Sequence, residues 1–215
     1  MQSVNQKMQT LQIENFKYWQ AAENSAEADV SFLPPLQRRK LSGMERTVAH
    51  LTNLLCKNKG DFVSVFASRF GEFNRIVKLL KVFNEQAEVS PSGFSSSVHN
   101  SAIGAQSVLL KNKGNYTAIS AMEDTLEMGL IEAFTISERV FFVFVDSAFP
   151  PPFDKNSPEV SEGFAFFAEP NSKDSIAATL TCGKFSNNPL SARALDAALK
   201  NRTGICGKYV KIDFR

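Results

Sequence analysis

The sequence has little of what marks the easily classified proteins. It holds 3 Cys, 2 His and 1 Trp in 215 residues. Cys56, Cys182 and Cys206 are odd in number, unpaired in spacing and without a histidine beside them, which argues against a disulfide framework and against a metal site. Reduced thiols, no metal and no cofactor are expected. No apolar run approaches the ~20 residues of a membrane span, and the N-terminus lacks the apolar core of a signal peptide, so a cytoplasmic protein with no membrane span is expected. Lys and Arg total 24 against 22 Asp and Glu, too even a balance for a nucleic-acid-binding surface. No internal repeat or low-complexity segment stands out. Phenylalanine alone is in excess, 19 against 3 Tyr. It supplies area without a polar handle, which predicts extensive dry packing or a subunit interface.

Strand and helix patterns alternate along the first 146 residues. Residues 1–7 are polar, 8–19 alternate as a strand, and 20–35 read as a surface loop. Met44, Val48, Leu51, Leu54 and Leu55 recur at helical spacing up to Gly60. Residues 61–68 are a strand, and Gly71 then leads into a helix with Phe73, Ile76, Val77, Leu80 and Phe83 on one stripe. A helical face runs from Ile103 to Leu110, then a short strand at 116–121. Residues 125–134 are apolar nearly all round, the mark of a buried helix. Residues 140–145 are continuously apolar, the mark of a strand covered on both faces. This order predicts an α/β fold with a largely parallel or mixed sheet. The proline-rich stretch 148–163 is the best joint, dividing 1–150 from 151–215. The second part (strands near 163–169 and 175–182, a helix at 191–200, a strand at 208–214) is too short for a core of its own and is expected on the same sheet system.

A strand turning sharply into a buried helix is a common seat for a nucleophile. Here that turn is Ser120-Ala121-Met122-Glu123-Asp124, and it contains no cysteine. Met122 reads either as core packing at a buried turn or as a functional substitution. Glu123 and Asp124 suit the positive end of a helix dipole. His99, with Ser97 and Asn100 beside it, reads as a hydrogen bond at a helix N-cap rather than as an acid or base. Arg38, Arg39 and Lys40 read as a solvated helix lead-in or as a docking patch for an acidic carrier protein.

Three stretches carry a resemblance: VFASRFGEFNRIVKLL, SPSGFSSSVHNSAIGAQSV and TAISAMEDTLEMGLIEA. Ser97-Val98-His99-Asn100 and Ala121-Met122-Glu123-Asp124-Thr125 are their most specific parts, and Pro152-Phe153-Asp154 with Glu162-Gly163 adds to them. Together they resemble the β-ketoacyl-synthase-like N-terminal domain family. Within it the chain is similar to chain-length-factor-like proteins of aryl polyene and type II polyketide biosynthesis. The resemblance implies a thiolase-like fold, essentially the N-terminal half plus a short C-terminal extension. It places the family's nucleophilic cysteine at about Met122, where no thiolate is available. The family's two later histidines also find no match, since no histidine follows His99.

The expected role is therefore a non-catalytic subunit. It would pair with an active β-ketoacyl synthase as a heterodimer, or in a higher assembly, and shape its acyl pocket in polyene or fatty-acid-like elongation. Acyl carrier protein would dock transiently on Arg38, Arg39 and Lys40. Tyr116, Thr117, Ile119 and Ala121 would meet the partner, while Phe94, Val98, Ile103, Gln106 and Leu109 would gate the pocket. The alternative is a free-standing acyl hydrolase or acyltransferase using His99 with a serine.

Overall fold

Residues 140–145 are the centre of the molecule, and all seven residues of their strand are buried. The structure, a computed structural model, describes residues 6–21, 27–153, 158 and 160–215. The sequence readings that fall on residues 1–5 and 22–26 and on Asp154 lie outside these. The strands are β1 (Gln6–Gln20), β2 (Val63–Ala67), β3 (Tyr116–Ile119), β4 (Val140–Asp146), β5 (Glu162–Ala168), β6 (Ile176–Cys182), β7 (Ile205–Cys206) and β8 (Val210–Phe214). The helices are α1 (Pro35–Arg38), α2 (Gly43–Leu55), α3 (Phe73–Gln86), α4 (Pro91–Ser95), α5 (Ser101–Leu110), α6 (Thr125–Ala133) and α7 (Ala192–Asn201).

Among the described residues the strands make one mixed sheet in the order β3-β2-β4-β5-β1-β6-β8-β7. β2 runs parallel to β3 and β4, and the other pairs are antiparallel. β1 spans the junction. Its second half, from Ile13, pairs with β5, and its first half with β6.

Strand periodicity sorts the core into two layers. Phe66, Phe141, Val143, Val145 and Phe167 face α2 and α5. Val65, Ala67, Phe142, Phe144, Phe164 and Phe166 face α6 and α7. β4 and β5 set phenylalanines opposite one another, Phe141 to Phe167, Phe142 to Phe166 and Phe144 to Phe164. The middle pair stacks at 5.2 Å. Each fully buried ring contributes ~1.5–3 kcal/mol. Phe62, Phe66, Phe134, Phe141, Phe142, Phe144, Phe164, Phe166, Phe167 and Phe214 all lie in the chain's own core, so that core takes most of the excess and a subunit interface need not.

α2 begins with a capping box. The Ser42 hydroxyl accepts from the Glu45 amide, and Glu45 accepts from the Ser42 amide. α3 departs from expectation: its stripe is largely uncovered, only Val77 is buried, and Leu80 and Phe83 are exposed. A short repeat also emerges, Lys57-Asn58-Lys59-Gly60 and Lys111-Asn112-Lys113-Gly114, leading into neighbouring parallel strands. The two loops meet, with Asn112 accepting from the Phe62 amide and donating to its carbonyl. Four residues were too few to stand out in the sequence. Among the described residues no helix is long and apolar enough to cross a membrane.

Candidate functional site at the strand-to-helix turn

β3 ends at Ile119, and the chain reverses into α6 through a short 3-10 turn, Met122–Asp124. Met122 has φ +49°, a left-handed backbone that costs a residue with a side chain ~1–2 kcal/mol. Thr125 holds the turn in place: its Oγ1 accepts from the Ala121 amide at 2.8 Å and donates to the Met122 carbonyl at 2.7 Å. The Ser120 hydroxyl donates to the Arg69 carbonyl at 2.8 Å. The consequence corrects the sequence reading. Met122 is 60% exposed, not packed in the core.

Charged residues at the ends of β2 and β4 brace this turn. Arg69, after β2, donates through its amide to Asp146 Oδ1 at 2.9 Å and through Nε to Asp146 Oδ2. Its Nη1 reaches Glu123 at 3.2 Å. Asp146, the last residue of β4, is 1% exposed; burial pushes its carboxyl above the usual carboxylate range while Arg69 holds it back. Asp124 pairs with Lys208 at 3.1 Å. Glu123 and Asp124 thus serve as ion-pair partners, and the first-turn acid of α6 is Glu127.

Glu127 is wholly buried. Its Oε1 accepts from the amides of Leu190 at 2.9 Å and Lys208 at 2.8 Å, and its Oε2 from Tyr209 at 2.6 Å and Val210 at 3.1 Å. One carboxylate thereby ties α6 to the 190 and 207–210 segments. A Cβ at Gly207 would lie 2.6 Å from that carboxylate, so only glycine permits the approach. Sequence reasoning missed this residue. The available signal was an acid, Glu127, among the apolar residues Leu126, Met128 and Leu130 of a helix that reads as buried.

His99 does not cap a helix. Its Nε2–H donates to the Ser68 carbonyl at 2.8 Å, and the cap residue of α5 is Asn100, which makes no side-chain capping bond. Gly71, with φ +52°, lies where a Cβ would come within 2.8 Å of the His99 ring. The Ser97 hydroxyl donates to the Phe94 carbonyl at 2.7 Å. Among the described residues His99 therefore meets a backbone carbonyl, and the structure forms no His–Ser catalytic pair.

The gate residues divide. Phe94 and Val98 are 62% and 40% exposed, whereas Ile103 and Gln106 are at 0% and 1%. Leu109 packs on Val30, Leu33 and Ala49. Ile103 and Gln106 thus face inward and reach no partner without movement of α5. Among the described residues β3 is an outer strand paired only with β2, with Tyr116 exposed and Thr117, Ile119 and Ala121 half-buried. Arg39 and Lys40 are exposed and Arg38 half-buried; Arg38 ends α1 and the other two follow it, ahead of the start of α2.

Chemically the turn offers no thiol, and its two carboxylates, Glu123 and Asp124, are taken up in ion pairs with Arg69 and Lys208. Cys56 lies in the α2 layer with its thiol pushed up by burial. A cavity of about 190 Å3 beside the turn, between Arg69, Glu123, Phe144 and Leu190, is smaller than the ~300–1,000 Å3 of ordinary ligand pockets. Among the described residues no three of His, Cys, Asp and Glu are placed to hold a metal ion.

The family profile described as "Beta-ketoacyl synthase, N-terminal domain" matches residues 12–203. The chain belongs to this family. A chain of "Ketosynthase (ApeO) in Complex with its Chain Length Factor (ApeC) from Xenorhabdus doucetiae" is similar to it with TM-score 0.71 and 23% identity, covering 96% of this chain and 99% of that one. The ishigamide ketosynthase/chain length factor gives TM-score 0.60 and 13% identity over 80% of this chain and 58% of that one. A β-ketoacyl synthase from Burkholderia phymatum STM815 gives 0.50 and 11%, over 78% and 55%. The chain spans little more than half the length of the latter two. These likenesses establish the thiolase-like ketosynthase fold. No curated protein sequence matches the chain. In this β-ketoacyl synthase domain the strand-to-helix turn presents an exposed thioether, Met122.

Proposed function

We propose that the chain is a non-catalytic, chain-length-factor-like subunit that pairs with an active β-ketoacyl synthase and shapes its acyl pocket. The observation that carries this reading is Met122, held outward on a left-handed backbone with no thiolate in its place. A condensing thiolate needs ionisation at a helix start, and a thioether has no proton to lose. The outer edge of β3 supports the pairing, since an open edge favours a covering chain, as does the uncovered stripe of α3. The similarity to a chain of a ketosynthase–chain length factor complex points the same way. In this reading Tyr116, Thr117, Ile119 and Ala121 meet the partner. Phe94 and Val98 are the gate residues that reach outward, and Arg38, Arg39 and Lys40 meet an acidic carrier protein during aryl polyene or related chain elongation. The test is decarboxylative condensation with acyl and malonyl carrier proteins. The chain alone gives no product and a ketosynthase with it does; turnover by the chain alone at the rate of the pair overturns the proposal.

A further inference from the structure

A second, larger cavity is lined by Gly71 and Glu72. Its volume is about 510 Å3, and it opens at the carboxyl ends of β2 and β4 against the first turns of α2 and α3. Open α/β sheets take ligands at such ends. The lining carries four cations, Arg39, Lys40, Arg75 and Lys78, against two carboxylates, Glu27 and Glu72. Arg75 is engaged: its guanidinium forks onto Glu45 at 3.0 and 3.2 Å and donates to the Ser96 carbonyl at 2.8 Å. Glu27 pairs with Arg46 at 3.4 Å. Arg39, Lys40 and Lys78 form no ion pair among the described residues. Phe73 and Phe149, with ring centroids 4.3 Å apart, supply an apolar wall. The lining thus combines cations outside ion pairs with an aromatic wall.

We propose that this cavity binds a small organic anion, a carboxylate or phosphate ester on an apolar body. Its charged end meets Arg39, Lys40 and Lys78, and its body lies on Phe73 and Phe149. The site needs only this chain and does not depend on the subunit pairing. Glu72 links it to pH. Glu72 is 3% exposed and accepts from the Ser42 hydroxyl at 2.5 Å. Burial pushes its carboxyl up to about 7; the Ser42 bond and the charges of Arg75 and Lys78 oppose the rise, and Glu45 on α2 adds to it. An anion arriving in the cavity places negative charge near Glu72 and favours its protonated form. Binding then takes up a fraction of a proton near neutral pH, up to one. Affinity falls with rising pH, by at most roughly tenfold per unit for one linked proton.

The test is calorimetric titration of the full chain with benzoate and with sulfate. Neither titrates near neutrality, and only benzoate carries an apolar body. Runs at about pH 6 and about pH 8, in buffers of two ionisation enthalpies, read affinity and proton uptake. Benzoate should bind more tightly at the lower pH, with proton uptake, and more tightly than sulfate. Lys40→Ala and Lys78→Ala, both at exposed positions, should each weaken it several-fold. Lys78 lies outside the proposed carrier-protein patch, so its variant separates the two roles. Glu72→Gln, which keeps an acceptor for Ser42, should bind benzoate with neither pH dependence nor proton uptake. Absence of binding, or binding that both lysine variants leave unchanged, overturns the site. Proton uptake persisting in Glu72→Gln overturns its coupling to Glu72.

Discussion

Glu127→Ala removes one acceptor from four backbone donors at once. Hydrogen bonds to a charged group contribute ~1.5–3 kcal/mol each, but the four share one carboxylate whose desolvation offsets part of the gain, so they do not add. The better guide is what the substitution leaves behind. The bonds from Leu190 and Val210 are buried, while those from Lys208 and Tyr209 are only partly so. Water can replace the carboxylate at the latter two. Each stranded buried amide costs ~1–3 kcal/mol, which puts the loss for Ala at ~4 kcal/mol. Glu127→Gln keeps one oxygen but turns an NH2 toward two donors, for a loss of ~2–3 kcal/mol. Urea denaturation measures both, and hydrogen exchange at Leu190, Tyr209 and Val210 shows whether opening is confined to the tied segments. A loss below ~1 kcal/mol for Ala, with amide protection unchanged, would refute the reasoning.

Three further outcomes follow from the same geometry. Met122→Gly relieves a left-handed backbone and should leave stability unchanged or raise it by up to ~1 kcal/mol, whereas the β-branched Met122→Val should lower it; the reverse order in thermal melts would contradict the turn. Burial lifts Glu72 from 4.5 to about 7, so the folded state holds that proton more tightly than the unfolded one. The stability it contributes is fully present below about pH 4.5 and is lost as pH rises through about 7, a change of ~3 kcal/mol. Asp146 shifts in the same direction, so the readout is the difference between the wild-type and Glu72→Gln urea midpoints across that window, and identical slopes would contradict it. Val98→Phe, at an exposed position, should shorten the product of the reconstituted pair with little loss of stability. Ile103→Trp, in a filled core, should instead cost ~1–3 kcal/mol; shortened product from a fully stable Ile103→Trp chain would return that residue to the gate.

Elements whose residues answer to a single period were legible in the sequence. The 140–145 run, the 125–134 helix and the alternation of strand with helix all survive in the fold. The order of the sheet was not, because β1 is held by β5 and β6 from the far end of the chain, as in Phe16 opposite Phe166. No local spacing encodes that pairing. At the turn, the absence of a cysteine was plain, but the exposure of Met122 was not, since it follows from a backbone angle that propensity disfavours. Arg69, Asp146 and Glu127 escaped notice because periodicity treats a charged residue as surface. Each instead sits against backbone or an opposite charge at the end of a buried element. Glu72 and Arg75 escaped for the same reason, in a helix start that looked merely polar.

The measurement that bears most directly on the central claim is the mass of the purified assembly. Co-expressed with an active β-ketoacyl synthase and passed over a sizing column with light scattering, the chain should elute in a stoichiometric complex with it. Ile119→Lys on the outer edge of β3 should abolish that complex, and Arg202→Glu, at an exposed position just before β7 on the opposite edge of the sheet, should preserve it. If instead the wild-type chain elutes apart from the synthase as a stable monomer, the account of it as a partner subunit is contradicted.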